Sequence, residues 1–597
     1  MRNGFSFVAG CARMSGMAST KNLSAASACL AALAALCAGA AAPASAEDAP
    51  PPQRPFDAKA LQAAIDATPD GGTVRLPDGE IRLASPVSVV GRTNLTVRGG
   101  AGTVLVLHYS PWEEPVWLIT PHVLVKDCSG VSFENFRVTT DHPVNASGRV
   151  VSKNPANCIY EAEIDPRFPI TGREHVYGSD TFDEEGMPDY AIETYDDRNV
   201  RTKLLPDGKG GVLPRIIGLD YEVVGPQRIR VKAPDADALG RLRVGHRVLY
   251  RHTIYGHSVF VVDASSDTVF RDVEIERCPS FGATILPLSE NVLFERFCIR
   301  APDGDRALYA ANADGIHVVG LAGRLVMRDC HFRGLGDDAL NVHAKAAEIE
   351  SFDPATGAIS VLCRDPSGGK ARLPRGWARP GDALAVYDAA TLLPKGRLAV
   401  KSWRDSGRGV ATPVGDAAGI APGDFVANER DFPSVEIENC SVENTRARGF
   451  LLQTRHVRVR NCAFRGLALP AILVAPDFRH WFEAGPAEDV EISGCTFEKC
   501  GMNGSPANLG AVTVKTSHDA GSGNGPAGVH RDLRIVGNAF RGCGAGGVYV
   551  ESARGVEVRD NAFEDVWRNP PPGVGSDRRP VRLHHCDDVS ADPDNLR

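Results

Sequence analysis

The chain has 597 residues, with 66 Lys and Arg against 74 Asp and Glu, and a formal net charge of −8 at pH 7. This length is sufficient for a large core or for several domains. The acidic balance argues against nucleic acid as a partner and, more weakly, against long polyanionic substrates, because like charges repel.

The first 46 residues have the features of an export signal. Lys21 precedes an alanine-rich apolar run from 25 to 42, and the small residues Ala-Ser-Ala at 44–46 form a cleavage signal. The run is too short and too rich in alanine to span a membrane well, and no other stretch resembles a membrane span. We therefore expect a signal peptide at 1–46 and a periplasmic or secreted protein. Lipoprotein anchoring at Cys11 is less favoured, because the apolar stretch before it is short.

Residues 61–83 predict a short helix, a turn and a strand. The segment LQAAIDATPD has apolar residues at helical spacing, two glycines follow it, and TVRLPDGEIRL is rich in alternating apolar positions. We expect these elements at the start of the mature fold.

Most of the remaining chain repeats one strand-like pattern. Each copy alternates apolar and polar residues, breaks at Asn, Asp or Gly, and then resumes. The starts at 269 and 292 are separated by the same interval as those at 533 and 556, and the starts at 435 and 457 are closer by a single position. The strong copies are LVMRDCHF (325–332), VEIENCSV (435–442), VRVRNCAF (457–464), VEISGCTF (490–497), LRIVGNAF (533–540) and VEVRDNAF (556–563), with weaker copies starting at 131, 269 and 292.

Short strands at this spacing, without helices between them, predict an all-β fold of the parallel β-helix type. The helix near residue 61 would cover the open end of the coil, whose unpaired strand edge otherwise invites aggregation. Two stretches lack the repeat and predict β-rich modules inserted between rungs. The predicted divisions are the signal peptide (1–46), the N-terminal cap and first rungs (47–149), an inserted module (150–255), rungs that carry clustered acids (256–344), a second inserted module (345–431) and C-terminal rungs (432–597).

The sixth residue of each strong copy is Cys or Asn. Stacked rungs would align these residues in an internal column at a turn. We predict buried packing thiols there rather than disulfides or metal ligands, and no CxxC pairing of the zinc type occurs. The residues are Cys330, Cys440, Cys462, Cys495, Asn538 and Asn561.

Two acidic segments fall about one rung apart. The first is NADGIH (312–317) and the second is GDDALNVH (336–343). Asp314 and Asp337 are separated by the same interval as the repeat starts at 269 and 292. One period in a β-helix brings residues to neighbouring positions about 5 Å apart. We therefore expect Asp314, Asp337 and Asp338 to converge on one outer surface, and we call these three residues the acid cluster.

Three neighbouring carboxylates cannot all ionise readily near pH 7, so at least one pKa should be raised. A protonated acid beside one or two ionised bases is what glycosidic hydrolysis requires, because the leaving oxygen needs a proton and water or a nucleophile needs a base. The histidines His317 and His343 fall near the same patch and either contact a ligand or are satisfied within the fold.

Gly-Asp-Asp has two other interpretations, a structural turn and a calcium site. An isolated copy is most often a turn whose side chains bond the local backbone. A calcium site would need six or more oxygen ligands, and only three acids are present here. We predict a catalytic cluster with no metal and no cofactor.

The segments ADGIHVVG and GLGDDALNVHA resemble glycoside hydrolase family 110, the exo-acting α-1,3-galactosidases of bacteria. The resemblance extends to RARGFLLQTRHVRVRNCAF (446–464) and HWFEAGPAEDVEISGCTFEKCG (480–501). It implies a right-handed parallel β-helix with inserted β-domains, an inverting mechanism and a carbohydrate substrate with terminal α-galactose. The Asp-Asp pair alone is shared with other β-helix hydrolases, including polygalacturonases, whereas its combination with the later segments is more specific.

The resemblance implies that the acid cluster is catalytic, with Asp337 as general acid and with Asp314 and Asp338 holding the water. Trp481 and Glu483 match the Trp-x-Glu segment of the family, and an indole face and a carboxylate suit the apolar side and the hydroxyls of galactose. Loop packing remains the alternative for Trp481. The candidate substrate-binding residues are His317, Asn341, His343, Arg448, Arg455, Trp481 and Glu483, although the two arginines are equally consistent with solvated charges.

Two other classes of function stay open. A polygalacturonase-like hydrolase or a pectin-type lyase would need a basic cleft, and a lyase also needs a Lys or Arg base with calcium; Arg446, Arg448 and Arg455 keep this alternative open. A non-catalytic β-helix that binds glycans at a surface would have no clustered acids with perturbed pKa values. No nucleic acid or membrane span is expected, and the sequence leaves open whether the protein forms a homodimer.

Overall fold

The computed structural model describes residues 56–593, so the predicted signal peptide lies outside the described residues. Within the described part, no helix is long and apolar enough to cross a membrane. The gaps in the description are residues 112–118, 169, 175, 177, 183–201, 207–211, 217–219, 234–235, 254, 303–307, 365–369, 372, 405–407, 415–418, 505–507, 518–524 and 572–573.

The chain coils into successive turns, and each turn adds short parallel strands to three ladders. The first ladder consists of Thr73–Arg75, Thr96–Arg98, Ser132–Thr140, Ser266–Ile275, Glu290–Glu295, Ala322–Arg328, Ser434–Glu438, Val457–Arg460, Glu488–Ser493, His530–Val536, Ala553–Arg559 and Asp587–Ala591. The second consists of Gly79–Leu83, Thr103–Leu107, the later parts of Ser132–Thr140 and Ser266–Ile275, Cys298–Arg300, His331–Arg333, Ser441–Thr445, Ala463–Leu467, Thr496–Cys500, Ala539–Arg541 and Ala562–Glu564. The third consists of Val87–Val90, Thr120–Lys126, His257–Asp263, Phe281–Ile285, Ile316–Val319, Leu340–Asp353, Phe450–Gln453, Ile472–Val474, Gly510–Val514, Gly546–Glu551 and Val581–His584.

The core of the coil is the space enclosed by the three ladders. Alternate residues of each strand point into it, as in Ser434–Glu438, where Val435 and Ile437 are buried. Aromatic side chains at equivalent positions stack along the axis, and the rings of Phe497 and Phe540 lie 4.7 Å apart at an angle of 8°. The predicted parallel β-helix is confirmed.

The predicted register is confirmed in the C-terminal rungs and wrong by one residue in an earlier one. Val435 pairs with Val457, as the interval between their repeat copies required. Val269 pairs with Leu293 rather than with residue 292, so that turn of the coil is one residue longer than the sequence pattern indicated. Where the copies are strong, the repeat pattern predicts correctly which residues point inward. It does not predict one extra residue in a turn between copies.

The break in each strong copy has a conformational cause. At this position the backbone takes φ between 52° and 68° in all six copies. L-residues with larger side chains avoid this left-handed region, whereas Gly, Asn and Asp enter it at lower cost. The corner between the first two ladders therefore selects these residue types, which are Asp329, Asn439, Asn461, Gly494, Gly537 and Asp560.

The Cys and Asn column predicted next to this corner is confirmed as an internal stack. Cys440, Cys462 and Cys495 are at most 2% exposed, and every cysteine in the described residues is a free thiol. The Cys462 N–H donates to Cys495 Sγ at 3.4 Å, and the Cys495 N–H donates to Asn538 Oδ1 at 2.9 Å. Asn538 in turn donates its N–H to Asn561 Oδ1 at 3.0 Å, so the side chains satisfy corner amides from rung to rung.

Native protein is expected to resist thiol reagents at Cys440 and Cys462, because both side chains are almost entirely enclosed. A short maleimide pulse followed by peptide mass spectrometry measures this, and denatured protein provides the fully labelled reference. Rapid labelling of both residues in the native state would contradict the buried stack.

A helix at Ala58–Ala67 covers the first turn of the coil, as predicted, although it begins three residues before the predicted segment. The Asp57 carboxylate accepts the N–H of Ala60 at 2.9 Å and caps the helix. Leu61 and Ile65, four residues apart, are buried against the coil.

Antiparallel strands interrupt the coil in two places. The first insertion contains a sheet, a hairpin and a helix at Ala236–Arg241, and its strands are Asn145–Asn154, Ile159–Ile164, Gly178–Phe182, Thr202–Pro206, Val212–Ile216, Tyr221–Gly225, Arg228–Lys232 and Arg247–Arg251, with a 3-10 helix at Pro155–Asn157. The second extends from the long strand Leu340–Asp353 and contains Ala358–Arg364, Lys370–Ala371, Ala383–Tyr387, Pro394–Arg404, Arg408–Val414, Phe425–Asn428 and the 3-10 helix Glu429–Asp431, and its long strand also pairs with Glu483–Ala484.

Candidate active site

The acid cluster lies at the turn that leads into the third ladder. Ile316 pairs with Leu340, so this turn of the coil is one residue longer than the interval between Asp314 and Asp337. Asp314 therefore aligns with Asp338, and the predicted alignment with Asp337 is wrong by one residue. The three carboxylates are nevertheless close enough that the charges of both Asp337 and Asp338 raise the pKa of Asp314.

Glycines allow the backbones of consecutive rungs to approach closely at this turn. A Cβ atom on Gly315 would lie 2.7 Å from the carbonyl oxygen of Ala339, and one on Gly336 would lie 2.3 Å from that of Asn312. Either contact would push the rungs apart. The glycines in Asp-Gly and Gly-Asp-Asp thus hold the acids at their observed separation.

The first insertion anchors the turn that carries Asp314. The Asn312 amide donates to the carbonyl of Val144 at 2.7 Å, and the Asn145 amide donates to the carbonyl of Tyr309 at 2.9 Å. Arg251, 1% exposed at the end of the same insertion, donates to the Asn312 carbonyl at 3.3 Å. Residues far apart in the chain thus fix this backbone, and no sequence motif marked them.

Asp338 is 2% exposed and receives two hydrogen bonds from Arg448 on the next rung. The Arg448 backbone N–H donates to Asp338 Oδ1 at 3.0 Å, and its Nη1 donates to Oδ2 at 2.7 Å. Burial raises the pKa of Asp338 to about 6, with the Arg448 cation opposing and the Asp337 charge adding to the rise. Arg448 is therefore placed at the acid cluster, where it holds a carboxylate.

Asp314 is the most strongly perturbed acid. The residue is 4% exposed, and burial, followed by the charges of Asp337 and Asp338, raises its pKa well above the usual value. Its Oδ2 lies 2.5 Å from Nδ1 of His317, whose pKa is lowered by burial. The cluster thus retains a proton at a pH where an ordinary Asp would be ionised.

Asp337 is half-buried and is the most accessible of the three acids. The hydroxyl of Tyr255 donates to its Oδ2 at 3.3 Å. The Tyr255 ring stacks on Phe281, with ring centres 5.7 Å apart. The sequence prediction missed Tyr255, because it follows the first insertion and belongs to none of the acidic segments.

Glu483 reaches the site by strand pairing rather than by the repeat. The strand that carries His343 continues past it, and Lys345 pairs with Glu483 in an antiparallel arrangement. Glu483 Oε1 lies 3.5 Å from His343 Nε2. Burial raises the pKa of Glu483 to about 7, although His317 and Lys345 oppose the rise.

Trp481 lies in a tight loop next to Glu483. The Asp477 carboxylate accepts the backbone N–H groups of His480 at 2.8 Å and of Trp481 at 3.2 Å. The ammonium of Lys345 donates to the Trp481 carbonyl. The indole is half-buried with its edge against His480, so Trp481 is close in the chain to a site residue and has an accessible ring.

Asn341 and Arg455 differ in their placement. Asn341 pairs with His317 across neighbouring strands and is 7% exposed, and its Oδ1 has no hydrogen-bond partner among the described residues. Arg455 instead binds Glu429 at 3.1 Å and the Tyr387 hydroxyl at 3.0 Å. The contacts of Arg455 thus tie the coil to the second insertion.

We predict that Asp314→Asn becomes more stable, relative to the native protein, as the pH rises from 4 to 8. The folded-state pKa of Asp314 exceeds its unfolded value, so native stability falls as the pH rises above the unfolded value of about 3.9. Asn cannot ionise, so the variant does not lose this stability as the pH rises. Melting temperatures across this pH range should diverge by a few degrees, with roughly 2–4 °C for each kcal/mol. A constant or shrinking difference would contradict the raised pKa.

Known proteins resemble this chain both in the β-helix coil and in overall sequence. A family profile described as "Right handed beta helix region" matches residues 425–575. The α-1,3-galactosidase A of Bacteroides fragilis is 25% identical over 477 residues, which cover 78% of this chain and 74% of that protein. The resemblance to glycoside hydrolase family 110 is confirmed. The α-1,3-galactosidase A of Akkermansia muciniphila is 30% identical over 297 residues, covering 49% of this chain and 47% of that relative.

Among solved structures, a family 28 exopolygalacturonase of Yersinia enterocolitica is 13% identical, with a TM-score of 0.33 over 90% of this chain and 75% of that chain. The right-handed coil that the family 110 resemblance implied is confirmed by the profile match and by the parallel ladders.

Proposed function

We propose that this protein is an exo-acting glycoside hydrolase that releases terminal α-1,3-linked galactose with inversion at the anomeric carbon. The observation that carries the proposal is the acid cluster, in which one pKa is raised well above normal and another to about 6. Such a group holds a proton and a negative charge together near neutral pH, which acid–base hydrolysis of a glycoside needs. The named activity of the relatives supports the choice of galactose.

Within the cluster, Asp337 acts as the general acid. It is the most accessible of the three acids, so a glycosidic oxygen can reach it. Asp338, which Arg448 stabilises as a carboxylate, and Asp314 hold the attacking water. Burial raises the pKa of Asp314 and of Asp338, and the proton that the cluster retains in this way is the one delivered to the leaving oxygen.

The arginines favour a neutral sugar over a pectic substrate. Arg448 is paired with Asp338, Arg455 with Glu429, and Arg446 donates to the carbonyl of Gly336 at 3.3 Å. A galacturonate carboxylate would have to compete with these protein acceptors. A polygalacturonase or lyase activity therefore receives less support than hydrolysis of an uncharged galactoside.

The strand pairing at Glu483 supports exo action. The loop that holds Trp481 crosses the long strand immediately beyond His343, at Ala344 and Lys345. The outer face next to the acid cluster is thus bounded at this end by protein. A bounded cleft suits a terminal sugar, whose hydroxyls would face His343 and Glu483.

Incubation with an α-1,3-linked galactobiose tests this function. Free galactose should appear, and NMR of the earliest product should show the β-anomer, because inversion converts the α-linkage. Polygalacturonate and a β-linked galactobiose serve as controls and should remain intact. Initial α-galactose would contradict inversion. Cleavage of polygalacturonate alone would contradict the galactosidase proposal in favour of a polygalacturonase-like activity.

We also propose export to the periplasm or the medium, on the basis of the leader pattern at 1–46. Expression of the full chain in a bacterial host, followed by cell fractionation and N-terminal sequencing, tests it. Mature protein starting at Glu47 outside the cytoplasm is expected, and a retained leader in the cytoplasm would contradict export.

A further inference from the structure

Two histidines and a glutamate converge beside the acid cluster. The nearest ligating atoms of His317, His343 and Glu483 all lie within 4.8 Å of one another. His343 Nε2 is 3.4 Å from His317 Nε2 and 3.5 Å from Glu483 Oε1. Ligand atoms at about 2.0–2.2 Å from one tetrahedral ion are separated by roughly 3.3–3.5 Å. The separations from His343 to His317 and to Glu483 therefore suit a shared cation.

The outer nitrogens of both rings are held as they are in metal-bound histidines. His317 Nδ1 lies 2.5 Å from Asp314 Oδ2, and His343 Nδ1 lies 3.2 Å from the Ala344 carbonyl. Because a carbonyl oxygen can only accept, His343 carries its N–H at Nδ1 and presents a lone pair on Nε2 toward His317. At this separation either a proton or a cation can bridge the two Nε2 atoms.

A fourth electron-pair donor lies on the same face. Asn341 sits beside His317 on the neighbouring strand and two residues before His343. Its Oδ1 is buried and has no hydrogen-bond partner in the part of the chain that the structure describes. The unpartnered oxygen of Asn341 is an observation separate from the three clustered side chains. It also indicates that a group which accepts an electron pair, such as a cation, binds in the site.

The donor set and the local charge select the class of ion. Two imidazoles and one carboxylate suit Zn²⁺ and other first-row transition ions, whereas Mg²⁺ and Ca²⁺ prefer oxygen ligands. The carboxylate of Glu483 lies 3.5 Å from His343 Nε2, so an anionic oxygen is available beside the two imidazoles.

We propose that His317, His343 and Glu483 form a binding site for a divalent first-row transition ion, and that this ion competes with the sugar. The competition rests on the proposed galactosidase function, whereas the metal site does not. Two of these side chains, His343 and Glu483, face the position proposed for the galactose hydroxyls, so metal and sugar would exclude each other.

Calorimetric titration of the chelator-treated full chain with Zn²⁺ tests the site in the absence of substrate. Saturable binding of one ion is expected, and His343→Gln and Glu483→Gln should each weaken it at least tenfold. His456→Gln is the matched control, because His456 is exposed and pairs with Asp489. Binding that is absent, or unchanged in both site variants, would overturn the site. Circular dichroism verifies that each variant is folded, and Co²⁺ absorption in the visible range reports coordination by nitrogen ligands directly.

Galactose release measured with and without Zn²⁺ then tests the competition. A higher KM with unchanged kcat is expected, and Mg²⁺ should have no effect at the same concentration. Unaltered hydrolysis with the site saturated would overturn the competition. If Zn²⁺ binds as expected but no galactoside is hydrolysed, the metal site stands and the proposed enzymatic function fails.

Discussion

Asp337→Asn is expected to slow hydrolysis of an α-1,3-linked galactobiose by about 10²–10⁴-fold, the usual contribution of a general acid. The change removes the transferable proton but conserves the shape of the side chain. A nitrophenyl α-galactoside has a good leaving group and needs that proton less. The variant should therefore retain much more activity on the nitrophenyl substrate than on the disaccharide.

The neighbouring acids supply the matched controls. Asp314→Asn and Asp338→Asn should impair both substrates alike, because each substrate needs activated water. The pKa of Asp314 is raised well above its usual value, so Asp314 is the alternative candidate for the general acid. If Asp314→Asn spares the nitrophenyl substrate and Asp337→Asn does not, the two roles are exchanged. Full activity in all three variants would show that the acid cluster is only a structural turn and is not catalytic.

The coil itself could be predicted because its physical requirements recur at fixed positions in the sequence. Inward residues alternate along each strand, and each corner needs a residue that accepts positive φ, such as Asn439 or Gly494. The Cys and Asn column follows from the same repetition. The length of each turn is less constrained, since a corner accommodates one more residue without changing which side chains point inward.

That freedom explains the error in the acid register. The interval taken from the repeat copies aligned Asp314 with Asp337, whereas the turn is one residue longer and aligns it with Asp338. Because Asp337 and Asp338 are adjacent in sequence, a slip of one residue still leaves all three acids close together. The slip changes which carboxylate aligns with Asp314, and so changes the local electrostatics.

Contacts made by the insertions could not be read from the repeat. Tyr255, Arg251 and Asn145 reach the acid-bearing turns from the ends of the first insertion, at separations that no period relates. The family resemblance nominated Glu483, but its contact with His343 depends on an antiparallel pair between distant segments. No pattern in the sequence therefore indicated a metal at these histidines.

Arg448→Gln should cut activity at pH 7 by roughly 10–100-fold, with partial recovery as the pH is raised, since each unit of pKa change alters the ionised fraction up to tenfold. The native Arg448 cation opposes the effect of burial on Asp338, whose pKa is about 6. Without that cation the pKa of Asp338 rises further. A base acts only when ionised, and activity is lost as the pH falls through its pKa. The acid limb of the kcat/KM profile should therefore move to higher pH.

Arg455→Gln is the control for this change. Arg455 is also paired with a partly buried carboxylate, that of Glu429. Substitution of Arg455 therefore reproduces the structural cost of removing a paired arginine. It should lower thermal stability and leave the position of the acid limb unchanged. Arg448→Lys, which keeps a positive charge, should place the limb between those of the native protein and Arg448→Gln. An unshifted limb in Arg448→Gln, measured on folded protein, would show that Asp338 is not the ionised base whose charge Arg448 maintains.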